Sequence, residues 1–313
     1  MASGLRRRAR KRAAFYIYTG LAWCLRNLPE PIARFAAGSV ALMMLQRRGM
    51  TVRMRVDHLR RVLRTTTGAE PDPRVLGQMT RQAFRAYARY WVEGARLPKL
   101  EAQHVDERMW ADGQDILDKG MAAGNGVVMA LPHVGSWEWG GSWLDHIGYH
   151  MTSVAEVLEP DELFRWFIDQ RRAMGLTIVP LDNGASGTLI KTLKSGGLVG
   201  LLCDRDLVGN GIEVEFFGER TTFPGGPATL ALRTGAMLIT TAVFSDPGAN
   251  HHAVIRGPID TTRRGSLRSD VARITQAIAA DFEEFIRRAP EQWHMCQPNW
   301  PSDHEAERAR KST

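Results

Sequence analysis

The chain has 313 residues, 44% hydrophobic and 24% charged, a balance that excludes wholesale disorder and suffices to bury a large core. Its three cysteines, Cys24, Cys203 and Cys296, stand far apart, so neither a disulfide framework nor a metal-ligand cluster is expected, and a reducing, cytoplasmic setting fits best. The formal charge of +7 implies an anionic partner: a phospholipid surface, a phosphorylated ligand or a nucleic acid.

The placement of charge narrows that choice. Arg6, Arg7, Arg8, Arg10, Lys11 and Arg12 precede an apolar run from Ala13 to Leu25, which Arg26 ends. The run falls short of the roughly 20 residues a spanning helix needs, and no small-residue cleavage site follows it. A second apolar run, Phe35 to Leu45, lies between Arg34 and the pair Arg47 and Arg48. Two short helices in the membrane interface, with arginines at the headgroups, are expected in preference to two ordinary core helices. Because the basic cluster abuts apolar helices and no reading motif accompanies it, nucleic acid is not expected as a partner.

Residues 1 to about 105 read as a helical membrane-association region and 106–313 as an α/β domain with a mostly parallel central sheet flanked by helices. Short buried strands alternate with helices from Gly126 onward: strands at Gly126–Leu131, Met151–Ala155, Thr177–Val179, Leu198–Cys203 and Met237–Phe244, helices from Ser136, Asp161, Thr188 and Pro227. Gly175 and Gly235 stand at helix stops. A last amphipathic helix is predicted over Asp270–Arg288, and a frayed polar tail after Pro301.

Three segments carry candidate chemistry. In Leu131-Pro132-His133-Val134-Gly135-Ser136-Trp137-Glu138, a histidine lies just past a buried strand, where open α/β sheets place their sites. Transfer to a hydroxyl needs a base near neutral pH, and imidazole suits that task. A carboxylate can fix its tautomer. Glu138 and Glu156 are both placed to do so, Glu156 if its strand pairs with the first. The second segment, Cys203-Asp204-Arg205-Asp206, ends another buried strand. Arg205 suits a phosphate or carboxylate and Asp204 suits a polyol, while a local ion-pair network closing a turn is an equal alternative. The third, Phe223-Pro224-Gly225-Gly226-Pro227, turns into a helix whose first amides are free for an anion or are simple loop punctuation.

Together with Phe167-Ile168-Asp169-Gln170-Arg171, Val214-Glu215-Phe216-Phe217-Gly218 and Trp293-His294-Met295, these motifs resemble the bacterial lipid A lauroyl and myristoyl acyltransferases. Within that family they most resemble the actinobacterial phosphatidylinositol mannoside branch. The resemblance implies a monotopic enzyme on the cytoplasmic face of the cell membrane, needing no cofactor, with acyl-CoA as co-substrate and a membrane glycolipid as acceptor. It implies His133 as base, Glu156 as its orienting partner, Glu138 as a further catalytic carboxylate and Asp204 as an acidic residue at the sugar side. Arg171 then holds the donor, with Arg205, Asp206, Asn210 and Arg233 as further substrate contacts. The alternatives are a related glycolipid acyltransferase fed by acyl carrier protein, and a non-catalytic basic binding module.

Overall fold

The computed structural model describes residues 2–46, 49–182 and 184–311, without the side chains of 2–11, 306, 310 and 311. Five helices come first: α1 (Ala2–Asn27), α2 (Glu30–Gln46), α3 (Met50–Thr67), α4 (Pro73–Arg96) and α5 (Ala102–Asp106). Local chemistry sets the ends of the middle ones. Gly68 closes α3 in the left-handed conformation, and the Asp72 carboxylate caps α4, with Pro73 at its first position.

The α/β part follows as β1 (Met109–Asp112), α6 (Gln114–Ala122), β2 (Val127–Leu131), α7 (Trp137–His146), β3 (Met151–Ala155), α8 (Asp161–Arg172) and β4 (Thr177–Pro180). It continues through α9 (Ala185–Lys194), β5 (Leu198–Leu202), β6 (Ile212–Phe216), β7 (Glu219–Phe223) and α10 (Gly226–Thr234). The chain ends with β8 (Met237–Ser245), β9 (His251–Arg256), α11 (Leu267–Arg288) and α12 (Pro301–Lys311). Seven strands form one sheet in the order β1-β9-β8-β2-β5-β3-β4, parallel except where β8 meets β9. Every residue of β2 is buried, as a strand covered on both faces requires. Val128 and Ala130 join the core under α10 and α11, whereas Val127, Met129 and Leu131 pack toward α6 and α7.

Two expectations are corrected here. The strands ending at Leu131 and Ala155 do not pair: β5 lies between β2 and β3, so Glu156 at the end of β3 is one strand removed from His133. The tail is a helix rather than a frayed end. Its Asp303 accepts from the amides of Asn299 and Trp300 and from buried His58, which fastens α12 to α3. The β6–β7 hairpin and strands β1 and β9 are further elements that alternation alone does not announce.

Among the described residues no helix is long and apolar enough to cross a membrane. Helices α1 and α2 nevertheless leave Tyr16, Ile17, Leu21, Trp23, Ile32, Phe35, Val40 and Met43 exposed, Phe35 at 79% and Trp23 at 67%. Arg26 and Arg34 do not flank this surface as headgroup anchors. Arg26 donates to the Ala95 carbonyl at 2.8 Å, and Arg34 pairs with Glu30 at 2.8 Å and Glu93 at 3.1 Å. Arg47 and Arg48 lie outside the described residues.

Candidate active site

The site begins where two neighbouring parallel strands stop. Leu131 pairs with Leu202, and the Cys203 amide donates to the Leu131 carbonyl at 3.0 Å, so the ladder carries on past both strands. That register sets residue 133 beside residue 204. The His133 Nδ1–H donates to Asp204 Oδ1 at 2.5 Å, and the His133 amide donates to Oδ2 at 3.0 Å. Trp293 Nε1–H donates to the same Oδ2 at 2.8 Å. Asp204 has no exposed surface, and a buried carboxylate persists only when bonded in this way. Burial pushes its pKa up, but the His133 ring and the bonds from His133 and Trp293 outweigh burial and hold it below the usual carboxylate range.

With its proton fixed on Nδ1, His133 presents the Nε2 lone pair, and the side chain keeps 26% exposure. Among the described residues Nε2 has no hydrogen-bond partner. This is the arrangement of a general base: one nitrogen oriented by a carboxylate, the other open.

The loop carrying His133 is held by its own backbone. His294 and Gly135 amides donate to His133 and Gln292 carbonyls at 2.7 and 2.9 Å, bracketing a bridge between Val134 and Trp293. The Ser136 amide donates to Val243 at 2.9 Å. Gly135 has φ 59°, and a Cβ there would lie 2.0 Å from the Val243 carbonyl oxygen, so this turn requires glycine.

The other sequence-derived candidates are distributed around this pair. Neither Glu138 nor Glu156 orients the ring, because Asp204 occupies Nδ1. Glu138 instead pairs with Arg171 of α8 at 2.6 Å beside Tyr90. Burial would lower the Arg171 pKa, but Glu138 and Tyr90 reverse this and raise it. Glu156 is half exposed and lies 4.0 Å from Arg205. Asp204 cannot face a sugar, since it is sealed behind His133 and Trp293. Asp206 is taken up by its own loop: it accepts from the amides of Val208, Gly209 and Gly211 and from the Thr222 hydroxyl. Asn210 is exposed at that loop's tip. Arg233 does not join the site. It ends α10 just before Met237, which pairs with Val127 at the end of the strands opposite His133. Burial pushes the Cys203 thiol pKa well up, so it is an inert packing group.

A chain of aromatic contacts runs from the dyad toward α1. Trp137 meets His133 edge-on at 5.4 Å and Tyr90 at 4.4 Å, and Tyr90, Trp91, Phe167 and Tyr18 continue toward α1.

One buried hub carries no local sequence signature. Glu93 of α4 accepts from Arg89 at 2.5 Å, from His251 at 3.0 Å and from Ser136 at 2.5 Å, besides Arg34. Burial acts to raise its pKa, but His251, Arg89 and Ser136 overcome it and bring it to about 2. A glutamate at the core face of an amphipathic helix was the available signal, and only its partners reveal it as a clamp between the helical region and the His133 loop.

Comparison with known proteins gives the family. Residues 4–302 match the family described as bacterial lipid A biosynthesis acyltransferase. The chain is 37% identical over 284 residues to a phosphatidylinositol mannoside acyltransferase of Mycobacterium tuberculosis (strain CDC 1551 / Oshkosh), covering 89% of this chain and 86% of that protein. It is 34% identical over 287 residues to the protein of the same name from Mycolicibacterium smegmatis, covering 91% and 90%. A dyad of this form on a chain matched almost throughout its length leads to one conclusion: the chain belongs to the bacterial lipid A biosynthesis acyltransferase family and is an acyltransferase.

Proposed function

We propose that the enzyme moves a long-chain fatty acyl group from acyl-CoA onto a sugar hydroxyl of a membrane glycolipid, specifically a mannose of a phosphatidylinositol mannoside. His133 Nε2 takes the hydroxyl proton as the oxygen attacks the thioester carbonyl. The tetrahedral intermediate then collapses to the ester, and the thiolate leaves as the proton passes to it from His133. No acyl-enzyme forms and no cofactor or metal takes part. The observation that carries this reading is the open Nε2 of His133, with Nδ1 held by buried Asp204 at the rim of the sheet.

The relatives' names support the acceptor, and the apolar, aromatic surroundings between α1 and His133 suit an acyl chain. Arg205, partly exposed beside Glu156, and Asn210 are the rim groups assigned to the donor's phosphates or the acceptor's polar head. The Glu138–Arg171 pair is assigned a structural part, fixing α8 against α7. The exposed apolar residues of α1 and α2, together with the basic residues early in the sequence, support the reading of a protein attached to the cytoplasmic face of the cell membrane.

The test is release of CoA thiol from palmitoyl-CoA by purified protein, with and without phosphatidylinositol mannoside. Acceptor-dependent release with acyl-mannoside as product is expected. Activity only with acyl carrier protein and a lipid A-type acceptor would move the enzyme to the other branch, and steeply salt-dependent DNA binding without turnover would overturn the reading.

A further inference from the structure

The late segment Trp293-His294-Met295 has a place in the fold that the mechanism above leaves unused. Trp293 is almost fully buried, packed against Phe216, Phe217, Trp300 and His58, yet its only polar atom points at the carboxylate that orients His133. Its backbone is equally committed: Val134 and Trp293 pair across the loop, and the bonds on either side join His133 to His294 and Gly135 to Gln292. The residue is thus stapled to the base by main chain and to the base's partner by side chain.

A neutral N–H bonded to a carboxylate withdraws some of its charge and fixes its direction. Asp204 Oδ2 shares two donors, the His133 amide and the Trp293 indole, which turns Oδ1 toward His133 Nδ1. We propose that Trp293 is a positioning residue of the reaction: its indole N–H holds Asp204 in line with His133 and limits how strongly Asp204 stabilises the protonated ring. This deepens the function proposed above and rests on it.

The His133 ring is met by Asp204 from the end of β5 and by Trp137 from α7, while its backbone carbonyl accepts from the His294 amide of the late segment. Burial, then Arg55 and His133 itself, hold His294 well below its ordinary pKa, so it stays neutral. Cys203 next to Asp204 is likewise neutral, and the Glu138–Arg171 pair beyond Trp137 is mutually compensated.

Removing the indole N–H leaves Asp204 with more of its charge directed at His133, which favours the protonated, inactive ring. The acid limb of kcat/KM therefore moves to higher pH. The structure contains its own control: Trp300 is as buried as Trp293, and its Nε1–H donates at 3.2 Å to the Phe216 carbonyl, away from the dyad. Trp293→Phe and Trp300→Phe each lose one indole bond and similar packing.

The experiment compares both variants with wild type over a pH series, using palmitoyl-CoA and phosphatidylinositol mannoside. For Trp293→Phe the expected result is an acid limb displaced upward by about half to one pH unit, kcat lowered roughly three- to tenfold, and KM for the thioester within about twofold. Trp300→Phe should lose comparable thermal stability with its acid limb in place. Equal displacement in both variants, or none in Trp293→Phe, overturns the inference while leaving the proposed function standing. A wild type without acyl transfer overturns the function and this inference with it. If Trp293→Phe does not fold, wild-type protein labelled with 15N-tryptophan decides the matter. One indole N–H resonance must titrate with the midpoint of the acid limb, and the absence of any such resonance overturns the proposal.

Discussion

Two histidine–aspartate pairs in this molecule use the same side chains for opposite ends. In His58–Asp303 both ring nitrogens are engaged, Nε2 with Asp303 at 2.9 Å and Nδ1 with the Met295 carbonyl at 3.3 Å, and the ring has no exposure. In His133–Asp204 the aspartate is just as buried, but only Nδ1 is engaged among the described residues, and the side chain keeps 26% exposure. A buried carboxylate beside a histidine is therefore not itself a mark of catalysis. What separates the proposed base from the structural pair is the second nitrogen, which the Met295 carbonyl closes in one pair and which has no hydrogen-bond partner among the described residues in the other.

That contrast can be broken most forcefully at Asp204. Asp204→Asn removes the carboxylate that fixes the Nδ1–H tautomer, and kcat should fall about 10³- to 10⁴-fold with the protein still folded, measured by acyl transfer beside circular dichroism. Next in size is Glu93→Gln, which leaves Arg34, Arg89 and His251 around a neutral amide. A stability loss of about 3–5 kcal/mol is expected in urea unfolding. The pH dependence has a definite sign. The Glu93 pKa drops from 4.5 to about 2 on folding, so its contribution is complete above about 4.5 and is lost as pH falls toward 2. Across that window the wild type should lose stability more steeply than Glu93→Gln.

Asp303→Asn tests the other pair. It should cost roughly 1–3 kcal/mol of stability, through bonds to His58 and to the amides of Asn299 and Trp300, and leave kcat within about threefold. A large loss of kcat at unchanged stability would erase the distinction between the two pairs. The smallest effect belongs to the exposed surface. Phe35→Ala and Trp23→Ala should each weaken binding to anionic vesicles by about tenfold, read by sedimentation, without changing thermal stability.

Periodicity and punctuation made most of the fold legible. β3 begins at Met151 and ends at Ala155 as read, and β2, α8 and β8 agree within a residue or two at most ends, because buried parallel strands are short apolar runs between turns. His133 was legible for a similar reason, lying just beyond such a run. Its partner was not. Asp204 was visible as a charged residue at a strand end, but identifying it as the orienting group requires knowing that β5, and not β3, is the neighbour of β2. Strand order depends on long-range packing that no window of sequence contains. Arg233 was misplaced through the same ignorance, since the direction of α10 decides which end of the strands it reaches. Arg34 looked like a headgroup anchor because the apolar run beside it could be read, whereas its partner Glu93 lies 59 residues away.

The most direct test of the account is acyl transfer by His133→Ala, measured as labelled palmitoyl incorporated into phosphatidylinositol mannoside, with unfolding temperature as the control for structure. Transfer should fall by at least about 10²- to 10⁴-fold, the range expected for loss of a general base, while the unfolding temperature stays near that of wild type. A folded His133→Ala protein that retains activity within tenfold of wild type would contradict it.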